Sequence, residues 1–212
     1  MGPSPAAPAP LRDLAIFVLA FAAVWTADVI LAWRLGLVPE AARAWLRAVL
    51  WIGAAGVWIL WQRPPAPTRW LGLAPFGLRA AVWASLAFVS IFAGNLLRVR
   101  FSVPPIHELA FASPSVLAGT LLGVFVEELV FRGVVQTRLA EHVSAPVAIV
   151  VAAALFLLIH VPGWTILAIP TDARTALSIF LIGVICGGLR YWSGSLWPAV
   201  AAHWANNLGA ML

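Results

Sequence analysis

The sequence predicts an all-α protein, a polytopic membrane helical bundle with about seven transmembrane helices. Hydrophobic residues make up 63% of the 212 residues and charged residues only 10%, against about 25% charged residues in soluble domains. Such a chain cannot cover its surface with polar groups. Its apolar residues fall into repeated runs of about 20, the length that a helix needs to cross a bilayer. Segments rich in proline or glycine separate these runs.

The apolar runs form one predicted transmembrane domain over residues 11–212, and we expect the helices that carry the candidate site to lie within 113–212. Residues 1–10 are rich in proline and alanine without periodicity, so we expect a disordered tail. Ser113 suits the N-cap of the fourth helix. Asp28 lies within the first run, and we expect it near the interfacial end. The predicted spans are Leu14–Trp33, Ala44–Trp61, Leu78–Leu97, Ser115–Leu139, Pro146–His160, Thr175–Leu189 and Pro198–Leu212.

The composition argues against several classes of protein. The net charge of +5 is spread over the loops without a basic stripe, so we expect no nucleic-acid partner. The single cysteine, Cys186, lies in an apolar segment, which excludes an intrachain disulfide and indicates a small core residue. No internal repeat indicates a transporter built from two similar halves. All basic residues are arginine and alanine is abundant, so we expect a bacterial cytoplasmic membrane.

One stretch of the fourth span, residues 126–133, carries three charges inside an apolar run. A charged side chain at bilayer depth costs at least about 2.5–3.5 kcal/mol, so the cluster needs a structural or chemical reason. Glu128 and Arg132 are four residues apart and can pair on one helix face. Glu127 points about 100° away and has no partner at helical spacing, which leaves it free for chemistry. The alternative is a buried ion-pair cluster that only fixes helix packing.

Three later polar residues join the acidic pair from two further spans. His160 ends the fifth span, and His203 and Asn207 share one face of the seventh. Peptide hydrolysis requires a base to activate water, an acid for the leaving amine and donors for the oxyanion. Glu127 suits the base, and His160 could hold the same water. His203 and the side-chain amide of Asn207 could donate to the oxyanion.

The motifs are Glu-Glu-x-x-x-Arg, Phe-x-x-x-His and His-x-x-x-Asn, each on its own predicted helix. In this order they resemble the CAAX protease and bacteriocin-processing (CPBP, or ABI) family of intramembrane glutamate-type endopeptidases, to which the Ras-converting CAAX endopeptidase is related. The resemblance covers residues 113–208. It implies that Glu127 is the catalytic glutamate and that Glu128 and Arg132 support it. The catalytic residues that it implies are Glu127, Glu128, Arg132, His160, His203 and Asn207.

The expected partners are the lipid bilayer and a membrane-associated protein or peptide substrate, such as a bacteriocin-type precursor or a C-terminal sorting tail. Glu127, His160 and His203 could in principle bind zinc with an open position. However, the sequence has no His-Glu-x-x-His pair, and a ligating Glu127 would leave Glu128 as the only base. We therefore expect hydrolysis without metal or other cofactor. A non-proteolytic membrane immunity or scaffold protein of the same fold is the alternative function.

Overall fold

A computed structural model describes residues 11–74, 76–101 and 113–211. Every regular element of these residues is helical, so the predicted all-α class is confirmed. The expected tail, residues 1–10, lies outside the described residues. In chain order the helices are α1 (Leu11–Arg34), α2 (Glu40–Gln62), α3 (Pro67–Trp70), α4 (Leu78–Arg100), α5 (Pro114–Ala140), α6 (Ala145–Leu158), α7 (Val161–Ile166), α8 (Ala173–Ser193) and α9 (Trp197–Ala210).

Six helical segments of the described chain are long and apolar enough to cross a membrane, which confirms a membrane helical bundle. They are α1, α2, α4, α5, α6 together with α7, and α8. The seventh predicted span corresponds to α9, which has only 14 residues. It is about 21 Å long at 1.5 Å per residue, shorter than a hydrocarbon core of about 30 Å. Because α9 packs against α4, α5 and α8, its residue His203 is buried inside the bundle.

The helix α5 lies at the centre of the bundle, where it contacts α2, α6, α8 and α9. It begins as predicted, because the Ser113 hydroxyl accepts a hydrogen bond from the Val116 amide at 3.4 Å and proline follows. Its segment Leu129–Gln136 is a π-helical turn whose residues are all buried. Such wide turns occur often at functional sites. This turn begins directly after the two glutamates.

The break between α6 and α7 positions His160. Proline at 162 lacks an amide hydrogen and clashes with the preceding turn, so α6 cannot continue through it. The His160 amide donates instead to the Leu157 carbonyl, at 3.1 Å. The Phe156 carbonyl is thereby left for the imidazole of His160, whose Nδ1 lies 2.8 Å away.

Aromatic side chains join the helices that carry the site. Phe21 of α1 packs edge-on against Trp51 of α2 at a centroid distance of 4.8 Å. Trp51 lies 6.1 Å from Phe131 of α5, which in turn lies 5.3 Å from Phe156 of α6. This continuous aromatic contact fixes α1 and α2 against the central helix.

Candidate active site

The predicted pair of Glu128 and Arg132 is present in α5, and both side chains are fully buried. Arg132 Nη1 donates to Glu128 Oε1 at 3.0 Å. Their spacing of four residues places them on one face of the helix. Removing one partner of a buried ion pair costs about 3–5 kcal/mol, so each residue secures the other.

Arg132 also ties α5 to two neighbouring helices. Its Nη2 donates to the carbonyl of Gly183 in α8 at 2.9 Å, and its guanidinium lies over the ring of Phe156, 4.6 Å from the centroid. Gly183 is required to be small, because a Cβ there would lie 3.0 Å from Ala153 Cβ and 3.1 Å from Arg132 Nη2. This geometry fits a supporting role for Arg132 better than contact with a substrate.

His203 of α9 lies between the two glutamates. Its Nδ1 is 2.8 Å from Glu128 Oε1. Because an ionised carboxylate only accepts hydrogen bonds, Nδ1 carries a hydrogen and donates it. Nε2 is the nitrogen near Glu127, at 3.5 Å from Oε2. The contact with Glu128 therefore fixes both the tautomer and the orientation of the ring.

Glu127 has a partner that the sequence does not predict. Its Oε1 forms an ion pair with Nη2 of Arg47, which lies 80 residues earlier in α2. The expectation that Glu127 is unpaired is therefore wrong, although no partner lies one turn along its own helix. Helical spacing identifies partners within one helix only, whereas this contact depends on the packing of α2 against α5.

Arg47 is a residue of the site that the motifs do not include. Its guanidinium packs against two indoles that contact each other edge-on, 5.2 Å from the ring centroid of Trp25 and 5.1 Å from that of Trp51. Asp28 of α1 also interacts with it electrostatically. Asp28 is 6% exposed and so is buried within the bundle. The position of Arg47 beyond the first turn of α2 is the signal that could have identified it.

One ring nitrogen of His160 is already hydrogen-bonded to the backbone. Its Nδ1 donates to the Phe156 carbonyl, since a carbonyl oxygen only accepts. Nε2 is then the nitrogen left to bind water. His160, Glu127 and Arg47 all line a cavity of about 220 Å³, whose other walls are mostly aromatic and aliphatic. A water shared by Glu127 and His160 would lie in this cavity.

A second cavity, of about 350 Å³, shares Glu127 and Arg47 with the first. Its other walls come from α5 and from Asn207 of α9. The ion pair therefore stands where the two cavities meet. Glu127 lines the first cavity together with His160 and the second together with Asn207. The structure thus brings all six predicted residues to one place.

Among the described residues, no group of three or more His, Cys, Asp or Glu side chains is arranged to hold a metal ion. Cys186 is buried and donates from Sγ to the Ala199 carbonyl at 3.4 Å, consistent with the small core residue expected. Independence from metal stays a prediction, because it is a property of the reaction and has to be measured.

Fold and site together define a multi-pass helical membrane protein that buries glutamate, histidine and arginine beside two cavities. A family model described as type II CAAX prenyl endopeptidase Rce1-like matches residues 109–209. This segment contains all three motifs, and the predicted family resemblance is confirmed. Through this segment the chain is similar to a family of membrane proteases. No curated protein and no solved structure matches the chain.

The matched segment begins after α4, so the first three spans lie outside it. Arg47 and the two indoles around it belong to these spans. The contacts of Glu127 therefore extend beyond the part of the chain that identifies the family.

Proposed function

We propose that the protein is an intramembrane endopeptidase that hydrolyses a peptide bond of a membrane-associated protein or peptide, with Glu127 as the base that activates water. The position of Glu127 is the observation that supports this most directly. Its carboxylate lines both cavities, whereas Glu128 is fully buried against Arg132 and His203. Neighbouring carboxylates in different surroundings suit different tasks. A cluster that only served packing would not need a carboxylate at the junction of two cavities.

In the proposed reaction, Glu127 takes a proton from a water molecule that His160 helps to hold in the first cavity. The hydroxide that forms attacks the carbonyl carbon of the substrate and produces a tetrahedral oxyanion. When the carbon–nitrogen bond breaks, Glu127 returns the proton to the leaving amine. The products are a carboxylic acid and an amine, and the base is regenerated.

The oxyanion has two candidate donors with different requirements. The Nδ1 hydrogen of His203 is already donated to Glu128, so His203 can donate to the oxyanion only from Nε2 and only as the imidazolium. The side-chain amide of Asn207 carries donors at every pH. Asn207 is therefore the donor that does not depend on protonation.

We further propose that the substrates are C-terminal sorting tails or bacteriocin-type precursors of a bacterial cytoplasmic membrane, as the motifs and the composition suggest. The terminal peptides of membrane proteins can be compared between cells with and without the gene. Termini that stay unprocessed without the gene identify the substrate. If deletion changes no terminus, the result favours the immunity or scaffold alternative.

Glu127→Gln tests the proposal, because it keeps the size of the side chain and removes the base. Cells that lack the gene and express Glu127→Gln instead should keep their unprocessed termini. The purified variant should cleave the identified peptide about 10²–10⁴-fold more slowly than the wild type. Glu141→Gln is the matched control, since Glu141 binds Trp70 and Arg138 away from the site. Processing by Glu127→Gln at the wild-type rate would contradict the assignment.

A further inference from the structure

We propose that Arg47 is a positioning residue for this hydrolysis: it fixes the direction of the Glu127 carboxylate and keeps it in the ionised form that can accept a proton from water. The proposal rests on the proposed role of Glu127 as base. It gives α2, which lies outside the segment that matches the family, a part in the reaction.

The carboxylate of Glu127 is held at one oxygen by an ion pair. Arg47 pairs with Oε1, and Oε2 faces Nε2 of His203 at 3.5 Å. Rotation about the last bond of a glutamate side chain is otherwise broad, so the ion pair with α2 selects one orientation. Only 10% of the Glu127 side chain is exposed, so bulk water contributes little to holding the charge.

Arg47 is itself held in place by the indoles of Trp25 and Trp51. Trp25 Nε1 donates to the Ile159 carbonyl at 2.9 Å, and Trp51 is only 2% exposed. A guanidinium stacks on aromatic faces and keeps its planar fork, whereas the ammonium of lysine is a compact, strongly hydrated charge. The indoles thus explain why an arginine stands here, and they limit the directions in which it can point.

Arg47 is the arginine that pairs with Glu127, because the neighbouring Arg132 is already bound to Glu128. Without Arg47, burial would favour the neutral carboxyl group of Glu127, which cannot act as a base. Besides Arg47 from α2, the titratable and charged groups around Glu127 are Asp28 from α1, Glu128 and Arg132 from α5, His160 from α6, Cys186 from α8 and His203 from α9.

An infrared titration of the full-length protein in nanodiscs tests the proposal without a substrate. The absorption band of protonated Glu127 is identified by its loss in Glu127→Gln. In Arg47→Met we expect this band to appear at a pH about 1–3 units higher than in the wild type, the usual effect of removing an opposite charge within about 4–6 Å. Arg47→Lys keeps the charge and should reverse most of the shift. An unchanged titration in Arg47→Met would overturn the proposal.

Arg43→Met is the matched control. Arg43 lies one turn earlier on α2, stacks over Trp33 at 5.4 Å from the centroid and donates to the Val38 carbonyl at 3.1 Å. It does not contact Glu127, so its removal should leave the band where it is. If Arg47→Met does not fold, the change Asp28→Asn is added, because Asp28 is a carboxylate that loses its cation when Arg47 is removed. The titration of this double variant is then compared with that of Asp28→Asn alone.

Turnover separates this proposal from the one on which it rests. If Glu127→Gln cleaves its substrate at the wild-type rate, Glu127 is not the base, whatever the titration shows. If Glu127→Gln is inactive and Arg47→Met keeps the wild-type titration and turnover, only the role of Arg47 fails. We expect the kcat of Arg47→Met to fall with little change in KM, because Arg47 acts on the base. Arg47→Lys should restore part of that kcat.

Discussion

The two halves of the molecule contribute different parts of the site. The C-terminal half, α5 to α9, carries the six predicted catalytic residues and buries Glu128, Arg132 and His203 in contact with one another. The N-terminal half, α1 to α4, carries no motif, yet its Arg47 binds Glu127. In the proposed mechanism the segment that matches the family therefore provides the chemistry, and the other half provides an ion pair that sets the charge and direction of Glu127.

The adjacent glutamates show why the halves differ. Glu128 is bound by Arg132 of its own helix, four residues away. Glu127 is bound by a residue 80 positions earlier. A motif within one helix thus predicts the contact of Glu128 with Arg132 and cannot predict that of Glu127 with Arg47. Assigning the function from the motifs alone would omit the ion pair that the base makes.

Removing Arg132 should break the C-terminal cluster, with the largest loss of stability among these tests. Arg132→Ala leaves Glu128 buried without its cation, so we expect a loss of about 3–5 kcal/mol in the free energy of unfolding. Thermal unfolding in detergent measures this loss. Arg47→Met should destabilise the protein less, because the Arg47 side chain is 25% exposed and that of Arg132 is fully buried. Equal losses in the free energy of unfolding for Arg132→Ala and Arg47→Met would contradict the prediction that the C-terminal cluster contributes more to stability.

A double variant controls for the loss of packing. Glu128→Gln with Arg132→Met removes both charges and keeps both side chains long, so it should yield more folded protein than Arg132→Ala. The amide oxygen introduced at position 128 can still accept from His203. If the two changes show no coupling in stability, the buried pair does not stabilise the fold.

The sequence predicts the features that depend on local spacing. A spanning helix has to be apolar along its length, so hydropathy finds the long spans. The predicted run Pro198–Leu212 nearly coincides with α9, but a helix of 14 residues is too short to cross the hydrocarbon core. Helical spacing finds the pair of Glu128 and Arg132. The pair of Arg47 and Glu127 depends on which faces of α2 and α5 meet, which the sequence of either helix does not give. Tryptophans near span ends usually indicate an interfacial belt, so they do not predict indoles that pack against an arginine.

A smaller effect is expected at Gly123, one turn before Glu127 on the wall of the second cavity. A Cβ there would meet no atom within 4 Å, so packing does not require a glycine. Because glycine costs about 1 kcal/mol relative to alanine in a helix, Gly123→Ala should raise stability by up to that amount. It should also slow cleavage, since the added methyl group enters the cavity. Thermal unfolding and peptide cleavage measure the two effects.

Gly56→Ala in α2 is the control for Gly123→Ala. Gly56 is exposed and a Cβ there also meets no atom within 4 Å, so the gain in stability should be similar. It lies away from both cavities and should not alter cleavage. If Gly123→Ala cleaves as fast as Gly56→Ala, the substrate does not use the second cavity.

The smallest effect expected is that of metal removal, which should leave turnover unchanged. A zinc ion bound by Glu127 would lie beside the guanidinium of Arg47 and would be repelled by it unless Arg47 moved away. Nδ1 of His203 donates to Glu128, so only Nε2 of His203, beside Glu127, could bind a metal. Exhaustive chelation followed by cleavage of the identified peptide measures the effect, and elemental analysis should find no stoichiometric zinc. Activity that is lost on chelation and restored by zinc would show that Arg47 moves off Glu127 in the active enzyme, and it would replace the base mechanism with a metal-assisted one at the same residues.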